Sequence, residues 1–286
     1  YTAIKDTRTS NSDIFPFVDI MSDGDQYMSF GYELFSYNNE VKNNTLSIVN
    51  NLVYSLGSHT ITGGISYDQM YFKNAYMREA TSYYRYNSVD DFINNAQPAG
   101  FGITYGYGGN DAPGVELSFG LGALYMQDEW RVNDNFKLTA GLRAELPFYL
   151  NKLDNNPAIS AYAFKDGWVD GATQLHDYKM DVGTWPKAKI QISPRLGFNW
   201  DVKGDRSLQV RGGTGLFTGL LPFVWFTNQP NGSGMIQSPE ISISSAADLA
   251  KIRFNPDYKA QIAAHPDLFP QTPGVLPRNS SVAQVD

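Results

Sequence analysis

The sequence predicts an all-β fold, an antiparallel transmembrane β-barrel present in part, about six or more strands of a larger barrel with long extracellular loops. Three observations carry this. Three segments alternate strictly in polarity and each reverses through a tight turn; the connections between them are long and irregular; and the composition is rich in aromatics and poor in charge, 14% against 18%. Short turns on one side and long loops on the other are the layout of an outer-membrane-type barrel. No apolar run reaches the about 18 residues of a membrane helix, and mean hydropathy is −0.35.

The first hairpin covers about 45–72 and pivots at Gly57-Ser58-His59. Successive side chains alternate across a strand, so Leu46, Ile48, Leu52, Tyr54 and Leu56 share one face and Thr45, Ser47, Asn51 and Ser55 the other. Its return strand sets Ile61, Ile65, Tyr67 and Tyr71 against Thr60, Thr62, Ser66 and Asp68.

The second hairpin, about 117–146, pivots at Val132-Asn133-Asp134-Asn135. Its predicted apolar face carries Leu117, Phe119, Leu121, Ala123 and Tyr125, then Phe136, Leu138, Ala140, Leu142, Ala144 and Leu146. Lys137, Thr139, Arg143 and Glu145 face away. In the third, about 192–217 with its pivot at Lys203-Gly204-Asp205-Arg206, Ile192, Leu196, Phe198, Trp200 and Val202 oppose Ser193, Arg195, Asn199 and Asp201. Leu208, Val210 and Leu216 oppose Ser207, Gln209 and Arg211.

A soluble β-sandwich also alternates. The barrel is favoured by strands of about 10 to 14 residues, against about 5 or 6 in globular sheets. Arg and Asp on the polar face point the same way, as do Tyr54, Phe136 and Trp200 near the turns, where an interfacial aromatic girdle belongs. Six strands do not close a barrel, which needs about 8, and an open edge in lipid leaves backbone groups unsatisfied. Either copies assemble or the chain is a fragment. Tyr1–Asp6 reads as the tail of a strand, and Ser281–Asp286 stops inside a loop, both of which favour the fragment. No plug domain is expected within the chain, and any export signal lies outside it.

The long loops, about 73–116, 147–191 and 218–286, exceed what structureless connections in compact domains reach. Tyr83, Tyr84, Tyr86, Trp168 and Trp185 lie in them as candidate ligand contacts, since aromatic surfaces grip sugars or peptides. The plainer reading, which the residue types favour, is that they pack the loops together. Ser88 followed by Val89-Asp90-Asp91-Phe92-Ile93 reads as a capped short helix, and Asp257–His265 as another. Phe101–Gly114 reads as flexible.

Two patches of sequence resemble a known family. Leu124-Tyr125-Met126-Gln127-Asp128-Glu129-Trp130 followed by Leu138 and Gly141-Leu142-Arg143 is similar to a hairpin of TonB-dependent outer-membrane receptors. So is Ser193-Pro194-Arg195-Leu196-Gly197-Phe198 leading into Arg211-Gly212-Gly213-Thr214-Gly215. Phe15–Ile20, Phe30-Gly31-Tyr32-Glu33, Asn38-Asn39-Glu40-Val41, Gly215–Gly219 and Pro222-Phe223-Val224-Trp225 resemble the Oar-like branch. The resemblance implies a barrel of about 22 strands around an N-terminal plug, energised through a TonB-type protein, in the outer membrane of a Gram-negative bacterium. The expected partners are outer-membrane lipid, the rest of the barrel with its plug on the same polypeptide, that TonB-type protein, and an unknown extracellular ligand.

Enzyme chemistry finds little support. With no cysteine there is no disulfide, thiolate ligand or Cys nucleophile. Gly106-Tyr107-Gly108-Gly109 and Gly212-Gly213-Thr214-Gly215 complete neither a phosphate loop nor a dinucleotide fingerprint. His59, His176 and His265 are far apart, and no metalloprotease or nucleophile-elbow motif is present. Asp90-Asp91 and Ser22-Asp23-Gly24-Asp25 read as solvated turn acids ahead of weak calcium ligands. No cofactor or metal is expected. A net charge of −7 and a pI near 5.0 argue against nucleic acid.

Arg143, Glu145, Arg195, Asp201 and Arg211 share the polar face and are candidates to line the lumen and meet a plug, or to satisfy one another across strands. The functional expectation is part of a receptor that captures a ligand at the cell surface for energised uptake. The alternatives are a non-transporting structural or adhesive barrel or assembly subunit, and a soluble β-sandwich carbohydrate-binding module.

Overall fold

Strict two-residue alternation interrupted by turn-forming residues builds the strands where the sequence places them. The computed structural model describes residues 15–169 and 173–276. In chain order the elements are β1 (Phe17–Ser22), β2 (Asp25–Phe30), β3 (Glu40–Leu56), β4 (His59–Ala75), β5 (Tyr83–Tyr86), α1 (Val89–Ile93), β6 (Gly100–Ile103), β7 (Val115–Arg131), β8 (Phe136–Tyr149), α2 (Pro157–Ala161), β9 (Phe164–Val169), β10 (Thr173–Tyr178), β11 (Gln191–Asp201), β12 (Gln209–Gly215), α3 (Phe223–Gly232), β13 (Ile241–Ile243), α4 (Ala246–Leu249) and α5 (Tyr258–Ala264). Tyr1–Asp6 and Ser281–Asp286 lie outside the described residues.

Six long strands form one antiparallel sheet in the order β12-β11-β8-β7-β4-β3. Every neighbouring pair in it is antiparallel. Its turns carry the expected chemistry. Gly57 takes φ 56 in the two-residue turn between β3 and β4, a left-handed conformation that glycine adopts without steric cost. Asp201 accepts hydrogen bonds from the backbone N–H groups of Gly204 and Arg206 at 3.0 and 2.9 Å, which closes the turn after β11. The sheet is open, and β3 and β12 are its edges.

The register assigns every side chain to a face. Leu46, Ile48, Leu52, Tyr54 and Leu56 share theirs with Ile61, Ile65 and Tyr67. Across β4 and β7 that face continues through Leu124, Met126 and Trp130, and across β8, β11 and β12 through Leu138, Leu142, Leu146, Ile192, Leu196, Phe198, Trp200 and Val210. It is bare: Leu52 is 72% exposed, Met126 64% and Leu124 63%. A continuous apolar surface of this extent marks a face that meets something other than water. Tyr54, Trp130, Phe136 and Trp200 sit on it at the short-turn end, and Phe136 pairs with Trp200 in register. Toward the other end Tyr67 stacks on Phe148 at 6.1 Å. From Phe136 to Phe148 strand β8 climbs about 40 Å, or about 29 Å along the normal at a tilt of about 45°. That matches the about 25 Å apolar band between the girdles of membrane barrels.

The parity of β7 corrects one expectation. Leu117, Phe119, Leu121, Ala123 and Tyr125 lie on the opposite face from Leu124, Met126 and Trp130, with Glu145 opposite Ala123 and Arg143 opposite Tyr125. The apolar residues of this strand change sides partway up. The reason is length: β4 and β7 have 17 residues each, more than the about 9–11 that cross a bilayer. Their upper ends rise into a layer of protein, where Met70, Phe72, Leu117 and Phe119 bury against Phe226 of α3.

That layer is ordered, which corrects the expectation of irregular loops. A second sheet runs β13-β6-β5-β1-β2, with β1 and β5 parallel and the other pairs antiparallel. Val18, Ile20, Tyr84, Tyr86, Phe101, Ile103, Tyr105, Ile241, Ile243, Ile252, Tyr258, Leu268 and Phe269 form its core. The start of Phe101–Gly114 therefore belongs to β6, and Phe101 is buried because it packs edge-on against Tyr84 at 4.9 Å. The two short helices form as read. Ser88 accepts from the Asp91 N–H to cap α1, and Asp257 accepts from the Lys259 and Ala260 N–H groups to cap α5.

Candidate ligand-binding site

The inner face of the six-stranded sheet, opposite the bare apolar one, is covered at its long-loop end by α3. Nothing in the side chains caps the helix start at Pro222. It is held from the side instead: Asn74 of β4 donates from Nδ2 to Thr227 Oγ1 at 2.8 Å, and Gln229 Nε2 donates to the carbonyls of Val182 and Thr184 at 3.1 and 2.7 Å. These bonds tie the 182–185 strap to the helix. Beneath them lies a cavity of about 700 Å3, within the about 300–1,000 Å3 typical of small-molecule sites.

Its walls come from every long element around it. Phe119 and Leu121 of β7, Tyr149 of β8 and Phe223 and Phe226 of α3 supply apolar surface, and Trp185 from the strap completes it. Trp185 stacks on Tyr149 at 5.2 Å and 11°, and its indole N–H donates to the Asn151 carbonyl at 2.9 Å, so the ring is fixed in place. Glu145, Gln191 and Thr218 are the polar wall, and Lys187 and Lys189 stand exposed at the mouth.

The candidate residues divide sharply. Tyr84 and Tyr86 are fully buried in the core above the sheet, so for them the packing reading holds and that of ligand contacts is corrected; their hydrophobicity, not their position in a loop, decides their place. Tyr83 points the other way from the same strand. Its ring stacks on Phe17 at 6.1 Å, and its hydroxyl donates to Asp19 Oδ2 at 3.1 Å. Burial raises that hydroxyl to a pKa of about 12. Trp168 lies in β9, opposite Gln174 of β10, and its side chain is outside the described residues. Trp185 alone of the five lines the cavity.

Arg143, Glu145, Arg195, Asp201 and Arg211 fall on the inner face by register. Arg143 Nε donates to Glu145 at 2.9 Å and its NH2 to Ser66 at 3.2 Å, while its guanidinium lies 5.2 Å from the Tyr125 ring. Thr218 donates to Glu145 from its hydroxyl. Arg195 sits 5.0 Å from the Phe217 ring, Arg211 donates to Gln209 at 2.8 Å, and Asp201 is taken up by its own turn. Only Glu145 reaches the cavity. Phe119 and Leu121 are absent from the residues expected at the site because a single apolar face for the whole hairpin turns them outward, whereas the register turns them in. The signal was the second apolar series in the same strand, Leu124, Met126 and Trp130, out of phase with the first.

His59 and His265 lie in different parts of the fold. His59 pairs with Asp128 at 2.6 Å and stacks on Trp130 at 5.5 Å on the outward face, while His265 ends α5. His176 is in β10, and its side chain is outside the described residues. Asp90 and Asp91 occupy the first turn of α1, and Asp23 and Gly24 form the turn between β1 and β2. Among the described residues no cluster of acids and histidines could hold a metal ion.

Comparison with curated proteins and with solved structures finds no match. A family model described as an outer membrane beta barrel domain matches residues 3–286, almost the whole length. That agrees with long antiparallel strands, a bare apolar face and aromatic girdles, and the chain belongs to this family of the outer membrane of Gram-negative bacteria.

Proposed function

We propose that the chain is part of a TonB-dependent receptor of the Oar-like type, which captures a ligand at the cell surface in the cavity under α3 and passes it inward with energy from a TonB-type protein. The observation that carries this is the cavity itself. It lies on the inner face of the sheet, at the end where the loops stand, with apolar walls contributed by strand, helix and strap together. A barrel that only anchored a surface structure would have no need to keep a ligand-sized space between its wall and its covering layer. The resemblance of the Tyr125–Trp130 hairpin to those receptors supports the same reading. In it the chain binds and does not catalyse. The missing strands, the plug and the TonB-type protein are its partners, with lipid around it.

The test compares uptake in cells with an intact and a deleted TonB pathway, with the whole protein assembled equally in both. Accumulation of ligand lost on deletion supports the receptor. Equal accumulation, or surface binding with no accumulation in either strain, favours the non-transporting barrel.

A further inference from the structure

We propose that the cavity under α3 takes a small organic anion with a flat apolar body, seated with its body against the Trp185–Tyr149 stack and its charge at Lys187 and Lys189. The inference rests on the reading of this cavity as a ligand site and adds the class of ligand.

Shape comes first. The Trp185 and Tyr149 rings lie 11° from parallel with centroids 5.2 Å apart, so they form an offset stack that presents a flat aromatic face rather than two rings at an angle. Phe226 meets this pair from above, 5.9 Å from Tyr149 and 6.5 Å from Trp185. Phe119 crosses Tyr149 edge-on at 5.5 Å. The side chains are fixed by the indole bond to Asn151 and by the helix that Asn74 and Gln229 hold down. A preformed apolar surface of this kind favours a rigid flat body, which loses little freedom on binding.

Charge sets the other end. Glu145 is the acidic side chain of the lining, and its charge is already answered by Arg143 and by the Thr218 hydroxyl. Lys187 and Lys189 make no ion pair among the described residues. The mouth is therefore cationic although the whole chain carries −7. An anion placed there meets two uncommitted ammonium groups and one carboxylate that is already satisfied. A cation meets the reverse.

The experiment uses the full-length protein in zwitterionic nanodiscs, with empty discs as the blank, and titrates two probes by calorimetry. One is 2-naphthoate, the other its uncharged relative 2-naphthalenemethanol. The expected result is at least tenfold tighter binding of the acid, an advantage that shrinks as salt rises, because charges at an exposed mouth are screened. The K187Q/K189Q variant removes that advantage and leaves the alcohol unchanged. Both lysines are exposed, so the exchange spares the fold. Trp185→Ala weakens both probes together. Equal binding of acid and alcohol, an advantage that survives in K187Q/K189Q, or heats no greater than those of empty discs would each overturn the proposal. Binding as expected without TonB-dependent uptake leaves the anion site standing and removes only the transport reading.

Discussion

The six-stranded sheet and the smaller sheet above it are made from the same kinds of residue and are turned opposite ways. In the lower sheet, Leu46, Leu52, Leu124 and Leu142 point outward and are bare. In the upper one, Val18, Ile20, Ile103 and Ile241 point inward and are sealed. The solvent differs, not the chemistry: burial of apolar area drives both, but lipid receives it in one case and protein in the other. Strand β7 passes through both regimes, and its apolar series changes face where the solvent changes.

The sharpest test of that contrast is to damage one region and watch the other. Phe101→Ala empties a site packed by Tyr84 and by Phe269 at 5.6 Å, and removal of a buried phenylalanine costs about 3–5 kcal/mol. Limited proteolysis of the full-length protein should then cut within the upper sheet, while the heat resistance of the folded barrel on an unheated gel stays as it was. If heat resistance falls too, the two regions are one cooperative unit and the contrast is wrong.

Leu124→Arg asks the opposite question. Leu124 lies opposite Ile65 and Ala144 on the outward face, and a charge there costs about 2–4 kcal/mol if it meets the middle of a bilayer. Thr62, opposite Val53 and Gln127 on the inner face, should accept arginine with little loss. Urea titration of refolding into vesicles reads both. Equal costs would mean that the two faces see the same medium.

One pH effect belongs to the upper region. Glu79 is 5% exposed, at φ 60, with its carboxylate against Gly102, where a Cβ would stand 1.8 Å from Oε2. Oε2 has no hydrogen-bond partner. Burial raises its pKa from 4.5 to about 7, more than Arg78 at 3.4 Å pulls it down, and Glu240 nearby adds to the rise. The folded state therefore holds this proton more tightly than the unfolded chain. Stability is full below about pH 4.5, falls as pH climbs to about 7 and is level above, by about 3 kcal/mol in all. Protease resistance of the upper sheet should follow that curve in the wild type and lie flat in Glu79→Gln. A wild type whose resistance rises over the same interval would reverse the assignment.

How much of this was legible in the sequence follows from how local each signal is. Alternation and turn residues are local, so the three hairpins, the faces of Leu46–Leu56 and Ile192–Trp200, and the girdle at Tyr54, Phe136 and Trp200 could be read directly. The layer above could not. Its core joins β1 to β5, β6 and β13, segments separated by most of the chain, and strands of 3 to 6 residues carry too little pattern to reveal their partners. Tyr83, Tyr84 and Tyr86 show the consequence. Three tyrosines between long hairpins fit either a ligand grip or loop packing, and only the strand decides, because alternate ones in it go inside. For the cavity, Trp185 was visible as an aromatic in a loop, whereas Phe119, Leu121 and Phe226 required knowing that a helix lies across the inner wall.

The smallest effect tests whether the upper layer obeys local rules as the lower one does. Ser88 caps α1 through a bond of 3.1 Å from the Asp91 N–H, and removing such a cap costs about 1 kcal/mol. The helix is short, but Phe92 packs edge-on against Phe30 at 5.4 Å, Tyr86 at 5.5 Å and Phe254 at 5.2 Å, so a frayed first turn loosens the edge of the core. Ser88→Ala should raise amide exchange in 88–95 and at Phe254, whose N–H is bound to Asn95 Oδ1 at 2.9 Å, and leave β3, β4 and β7 unchanged. Exchange confined to the helix itself would mean that tertiary packing alone holds the ring of Phe92, and that the cap does nothing for the core.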